Sequence, residues 1–178
     1  MFKALFKKDT TLEAARALYA AAVEQARAPA LYADFGAPDT VEGRFEMVAL
    51  HVYLVMRRLK GDEISKKVSQ SLFDVMFQNM DDSLRELGVG DLAVARKIRT
   101  LAENFYGRIG AYENGLKPDA KTGALAAALG RNIFEDEQAP QAVLFADYVR
   151  RTDESLAAQP VARIASGIVV FPAAELEK

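Results

Sequence analysis

The sequence predicts an all-α fold: a single-domain compact bundle of about six to seven helices around a central buried helix at about residues 40–60, closed by a short irregular tail. Three observations predict it. Apolar residues recur at helical spacing through most of the 178-residue chain. The periodic segments are punctuated by residues that begin and end helices. The one β-like run, Gly167-Ile-Val-Val-Phe171, is too isolated to build a sheet. The whole chain, 1–178, is expected to be one helical domain, with 1–9 an amphipathic basic segment and 164–178 a tail.

At the start, Phe2 and Phe6 alternate with Lys3, Lys7 and Lys8. Such a segment either docks its rings on the core or touches an anionic membrane surface. Thr10 and Glu13 then have capping-box spacing for a helix over about Thr11 to Arg27, with Leu12, Ala15, Leu18, Tyr19, Ala22 and Val23 on its apolar side. Pro29 forbids its continuation. The connection to Pro38 carries Tyr32 and Phe35, large rings expected to pack down as plugs, with a binding surface as the other reading.

Residues Asp39 to Leu59 form the longest apolar-periodic stretch. Asp39 or Thr40 can cap it, Glu42 stands three after Asp39, and Gly61 follows its end. At 100° per residue Phe45, Val48, Ala49, Val52, Val55, Met56 and Leu59 share one arc, and Met47, Leu50 and Leu54 make a second. Glu46, Tyr53 and Arg57 are left for a narrow solvent wedge. A helix so largely apolar must be covered on several sides, which puts it at the centre. Arg44, His51 and Arg58, seven apart, form a stripe expected to be partly buried against carboxylates of Asp39, of the Asp81 to Asp91 corner, or of both.

Asp62 can cap the next helix, which runs to about Asn79 with Ile64, Val68, Leu72, Phe73, Val75, Met76, Phe77 and Met80 on a wide apolar arc. Residues Asp81 to Asp91 read as a helix corner: a short turn with Arg85, a stop at Gly88, a tight loop through Gly90 and a new cap at Asp91. From Leu92 to about Glu113 the pattern is amphipathic, with Val94, Ile98, Leu101, Phe105, Ile109 and Tyr112 inward. Its outer face is basic, carrying Arg96, Lys97, Arg99 and Arg108, and is either solvated or a docking face for an acidic partner or lipid headgroups. Gly107 and Gly110 weaken this helix by up to ~1 kcal/mol each unless a neighbour needs the close approach they allow. A short alanine-rich helix through Leu125 and Leu129 is expected to end near Gly130. Pro140 opens a last long helix repeating Val143, Leu144, Tyr148 and Val149, which Pro160 stops.

Composition narrows the function. Charged residues make up 27%, the formal net charge is -2 and the pI is about 5.6, so nothing points to nucleic acid. The absence of cysteine removes disulfides, thiolate metal sites and thiol nucleophiles, and fits a reducing compartment. The N-terminal residues lack the apolar core of a secretory signal, and the run Met47 to Met56 falls short of the ~20 residues a membrane span needs. These features together predict a soluble, cytoplasmic protein, with weak contact to a membrane surface as an added expectation. Gly88-Val-Gly90 lacks the preceding strand and third glycine of a dinucleotide site. With one histidine, placed mid-helix, and no Gly-x-Ser-x-Gly turn, no catalytic residue, metal or cofactor is expected. His51 as a single haem ligand stays chemically open.

Three segments in order carry a resemblance: Pro38 to Leu59 (PDTVEGRFEMVALHVYLVMRRL), Leu72 to Phe77 (LFDVMF) with Asp81 to Asp91 (DDSLRELGVGD), and Phe105 to Arg108 (FYGR) with Tyr112. Together the chain from about Leu18 to Asn132 resembles the ubiquinol–cytochrome c chaperone family, in its compact bacterial form. The resemblance implies an all-helical, non-enzymatic assembly factor that engages newly made cytochrome b and hands it on for haem insertion and assembly of the bc complex. A small co-chaperone and a ribosome contact belong to the mitochondrial members. By matching, Asp39, Arg44, Phe45, Glu46, His51 and Arg58 fall in the first motif, Asp81, Arg85, Gly88, Gly90 and Asp91 in the second, and Tyr106, Gly107, Arg108 and Tyr112 in the third. A different reading, a lipid- or haem-handling helical protein with a small apolar ligand, fits the same residues.

Overall fold

The computed structural model describes residues 10–176, which form eight helices: α1 (Thr10–Ala26), α2 (Pro29–Ala33), α3 (Val41–Arg58), α4 (Glu63–Glu86), α5 (Asp91–Leu116), α6 (Ala124–Ile133), α7 (Gln141–Ala157) and α8 (Val161–Ala165). The five-residue α2 and α8 bring the number above six to seven. Phe2, Lys3, Phe6, Lys7 and Lys8 lie outside the described residues.

The centre is α3, as its double apolar pattern requires. From Met47 to Val55 every side chain except the half-buried Val48 is buried, under α1, α4, α6 and α7. Thr40 caps its start, its hydroxyl oxygen accepting from the Gly43 amide at 3.0 Å. The solvent wedge is not there. Glu46 is 8% exposed and Tyr53 2%, because Arg108 and Tyr112 of α5 lie against that side.

Asp62 caps α4 as expected, accepting from the Ile64 and Ser65 amides at 2.9 and 3.0 Å. However, α4 does not stop near Asn79; it continues to Glu86. No proline or glycine interrupts it, and one-turn pairs from Gln78 to Asp82 (2.9 Å) and Arg85 to Asp81 (2.5 Å) run through the supposed corner. Gly88, at φ +80°, turns the chain and donates to the Arg85 carbonyl at 2.9 Å. Gly90, rather than Asp91, is the cap residue of α5. In the α4–α5 seam Phe73, Phe77 and Phe105 pack with ring centroids 4.5–6.0 Å apart.

Two expectations near the C-terminus fail locally. Gly130 lies inside α6, pressed against the Asp136 carbonyl, instead of ending it. In α7 the inward face is Ala142, Phe145, Ala146, Tyr148, Val149, Thr152 and Leu156, while Val143 and Leu144 are exposed. Residues 168–176 make no strand; they lie across α1 and α7, where Gln159, Gln25 and Arg151 bond the backbone at Val170, Pro172 and Glu175. Phe35 is the expected plug, 1% exposed and edge-on to Phe145 at 5.5 Å.

Candidate functional site

The basic stripe of α3 is dismantled by the fold, each member being held separately. Arg44 meets Asp39 at 2.6 Å on the surface, where both side chains are more than 60% exposed. Arg58 donates to the carbonyls of Leu156 and Gln159 at 3.0 and 2.7 Å, binding the C-terminal end of α7. His51 is fully buried. The expected clasp between this stripe and the Asp81 to Asp91 corner is absent, because Asp81 and Asp91 both pair with Arg85 inside the corner itself.

His51 sits in a closed relay. Its Nδ1 is 2.7 Å from the Met47 carbonyl, which can only accept, so Nδ1 carries the proton. Nε2 therefore accepts from the Tyr148 hydroxyl at 2.7 Å. The Tyr148 oxygen in turn accepts from Gln25 Nε2 at 2.9 Å. Burial, only partly offset by the Met47 carbonyl, pushes the imidazole down to about 4. Both nitrogens are occupied and the ring touches Tyr148 and Phe171, so ligation of haem by His51 does not fit this structure.

The charged group that is buried is one the sequence placed in solvent. Glu46 receives a two-pronged hydrogen bond from Arg108, Nε to Oε2 at 2.6 Å and Nη2 to Oε1. Burial raises the Glu46 carboxyl, and the guanidinium pulls it back. Tyr112, 2% exposed, lies beside this pair and its hydroxyl is pushed up by burial. A second network joins Arg57 to Glu113 (2.6 Å) and Asp153 (2.8 Å), with Lys60 and the Tyr53 hydroxyl also on Glu113. Burial alone would raise the Glu113 carboxyl, but hydrogen bonds from Lys60 and Arg57 hold it below its ordinary value.

With these residues consumed in structural pairs, one open feature among the described residues is a groove of about 1140 Å³ between α1, α2, α3 and the second half of α4. Its walls are Tyr19, Val23, Tyr32, Phe45, Val48 and Met80, its rim carries Arg27, Val41 and the Asp39–Arg44 pair, and Tyr19 donates to Asn79 at 3.0 Å between α1 and α4. Asp39, Arg44 and Phe45 are thus the motif residues that reach it. His51, Glu46, Arg58, Arg108 and Tyr112 do not. Arg85, Gly88, Gly90 and Asp91 cluster at the far end of α4, Arg96 and Arg99 are exposed on α5, and Tyr106 is exposed beside Phe73. Gly107 faces open space. Sequence reasoning missed Tyr148, Gln25, Glu113 and Asp153 as partners, and an apolar or Met-rich groove was expected without a location, because each depends on contacts between distant helices. Among the described residues no group of three or more His, Asp or Glu could hold a metal ion, and no helix is long and apolar enough to cross a membrane.

The sequence pattern of the Ubiquinol-cytochrome C chaperone family matches residues 33–171. The chain belongs to that family. Among solved structures it is similar to the Cbp3 homolog from Brucella abortus, at 37% identity and a TM-score of 0.81 over 93% of this chain and 92% of that one. Ubiquinol-cytochrome c reductase complex assembly factor 1 of mouse is 28% identical over 78% of this chain, and that of Xenopus laevis 26% over 78%. The match spans 47% of the mouse protein and 70% of the Xenopus one. The match contains all three segments that carried the resemblance, and also α7 with Tyr148, which the resemblance did not reach.

Proposed function

We propose that this protein is a non-enzymatic chaperone that binds newly made cytochrome b and assists its maturation into the ubiquinol–cytochrome c reductase complex, working in the cytoplasm against the inner membrane. A small co-chaperone is a further candidate partner. Family membership supports a role in assembling that complex. The observation that carries the reading is the open apolar groove, rimmed by Arg27 and the Asp39–Arg44 pair. Its size and its mixed aromatic, methionine and arginine lining suit an amphipathic segment of a membrane-protein client. Arg44 and Asp39 then act at the rim and Phe45 in the wall, while Glu46, His51, Arg58, Arg108 and Tyr112 act by holding α3, α5 and α7 in place.

The test is capture in the cell's own membranes with a photo-crosslinking side chain at Met80 or Val48. Cytochrome b is the expected adduct. Val41→Asp, at a rim position 79% exposed, is expected to lower capture about tenfold or more while leaving the thermal midpoint unchanged. Deletion of the gene is expected to lower cytochrome b and the activity of the complex together. Normal levels of both, or capture of a small apolar ligand with cytochrome b maturing unimpaired, would refute the proposal.

A further inference from the structure

We propose that the channel between α1 and α7 is a recognition site for an extended peptide. The chain's own residues 168–176 fill it here, and a partner segment of the same pattern, β-branched residues followed by an aromatic residue and proline, takes their place. The run Gly167-Ile-Val-Val-Phe171 is the β-like stretch of the sequence, and among the described residues no sheet forms to use it. Gly167 lies against Ala14, and the Pro172 carbonyl accepts from Gln25. That interval is about 16 Å whether counted as eleven residues of helix along α1 or as five of strand. The segment therefore runs along α1 fully extended.

The channel reads this segment by its backbone. Gln159 Oε1 accepts from the Val170 amide at 3.0 Å and Gln159 Nε2 donates to the Val170 carbonyl at 2.7 Å. Gln25 donates to the Pro172 carbonyl at 2.9 Å and Arg151 to that of Glu175 at 2.7 Å. Residues 169–174 make no backbone-to-backbone hydrogen bond to the rest of the described chain. Every polypeptide carries these backbone groups, so the same bonds suit a segment from another chain. Selection comes from Phe171, edge-on to His51 at 5.5 Å, and from the proline after it. Both glutamines are also anchored without the segment: Gln159 Nε2 bonds the Ser155 carbonyl at 3.2 Å, and Gln25 Nε2 bonds the Tyr148 hydroxyl, itself held by His51. A site set in advance loses little freedom on binding. Ile168 and Val170, by contrast, are 51% and 54% exposed, so the outward apolar half of the segment does little to keep it in place. Four polar bonds and the inward Val169, Phe171 and Ala174 hold it, few enough for it to open while the helices stay folded.

Gln25, His51, Tyr148, Arg151 and Gln159 do not line the groove of the proposed function, so the two ideas stand or fall separately. The probe is a fluorescent peptide of residues 167–176, titrated against the full chain by anisotropy. Tethering gives the chain's own segment a local concentration on the order of millimolar, so the peptide is expected to bind the unaltered chain weakly. It is expected to bind Phe171→Ala or Val170→Pro at least about tenfold more tightly, because these changes loosen the tethered segment and leave the channel intact. Adding Gln159→Ala to either is expected to reverse the gain, and a peptide with Phe171→Ala to bind about tenfold more weakly. Circular dichroism checks that each variant is folded. A second measurement needs no variant: in the unaltered chain the Val170 amide is expected to exchange hydrogen at least about a hundredfold faster than the amides of Leu50 to Leu54 in α3. The proposal is overturned if the peptide binds none of the chains, binds altered and unaltered chains alike or ignores Gln159→Ala, or if Val170 exchanges as slowly as α3.

Discussion

Lowering the pH from 7.5 to 4.5 is expected to destabilise this protein through His51 in particular. The imidazole has an ordinary value of 6.5 when the chain is unfolded and is held down to about 4 when buried neutral between Met47 and Tyr148. The unfolded chain therefore takes up the proton first. The stability contribution is complete above pH 6.5, declines as pH falls below it, and is lost once the folded value near 4 is passed. At 1.36 kcal/mol per unit, the loss is about 2 kcal/mol by pH 5 and about 3 kcal/mol below pH 4. Urea titrations of the unaltered chain and of His51→Gln across this range isolate the effect, because carboxylates contribute equally to both. The advantage of the unaltered chain should shrink by about 2 kcal/mol between pH 7.5 and 5. As the chain holds one histidine, its imidazole resonance can also be followed alone by NMR. Titration of that resonance near 6.5, or a stability difference independent of pH, would refute the reasoning.

Arg108→Ala should cost roughly 3 to 5 kcal/mol by leaving the Glu46 carboxylate buried without its partner, whereas replacing both with Leu and Met should recover most of the loss; a double-mutant cycle read by urea denaturation measures this. Gly115→Ala should destabilise by about 1–3 kcal/mol, since an added Cβ would stand 2.6 Å from Leu125 Cα where α5 crosses α6. Gly107→Ala and Gly110→Ala, at open positions of the same helix, should each stabilise it by about 0.5–1 kcal/mol, visible as a raised thermal midpoint.

The glycines show where sequence reading ends. All of these α5 glycines look alike in the sequence, and at Gly107 and Gly110 it leaves open whether they merely weaken the helix or serve a close neighbour. The fold places the close approach at Gly115 instead, because helix crossing points depend on the angle and offset of two distant segments. Likewise Asp81 and Asp82 have the composition of a helix cap, yet α4 runs through them, since nothing there breaks the backbone and one-turn pairs hold it.

By itself the sequence determined the all-helical class, the central position of α3, the cap at Asp62, the stop at Gly88 and the family, since each rests on periodicity or chemistry within a few consecutive turns. Tertiary structure alone decided which polar residues are buried together. Glu46 and Arg108 are 62 residues apart, and His51 and Tyr148 are 97 apart. Glu46 lies on the most polar side of α3, so hydrophobic periodicity assigns it to water; α5, bringing Arg108, covers that side and makes it interior. The groove has the same origin, for its walls come from four helices whose apolar arcs each look like ordinary core until their packing leaves a gap between them.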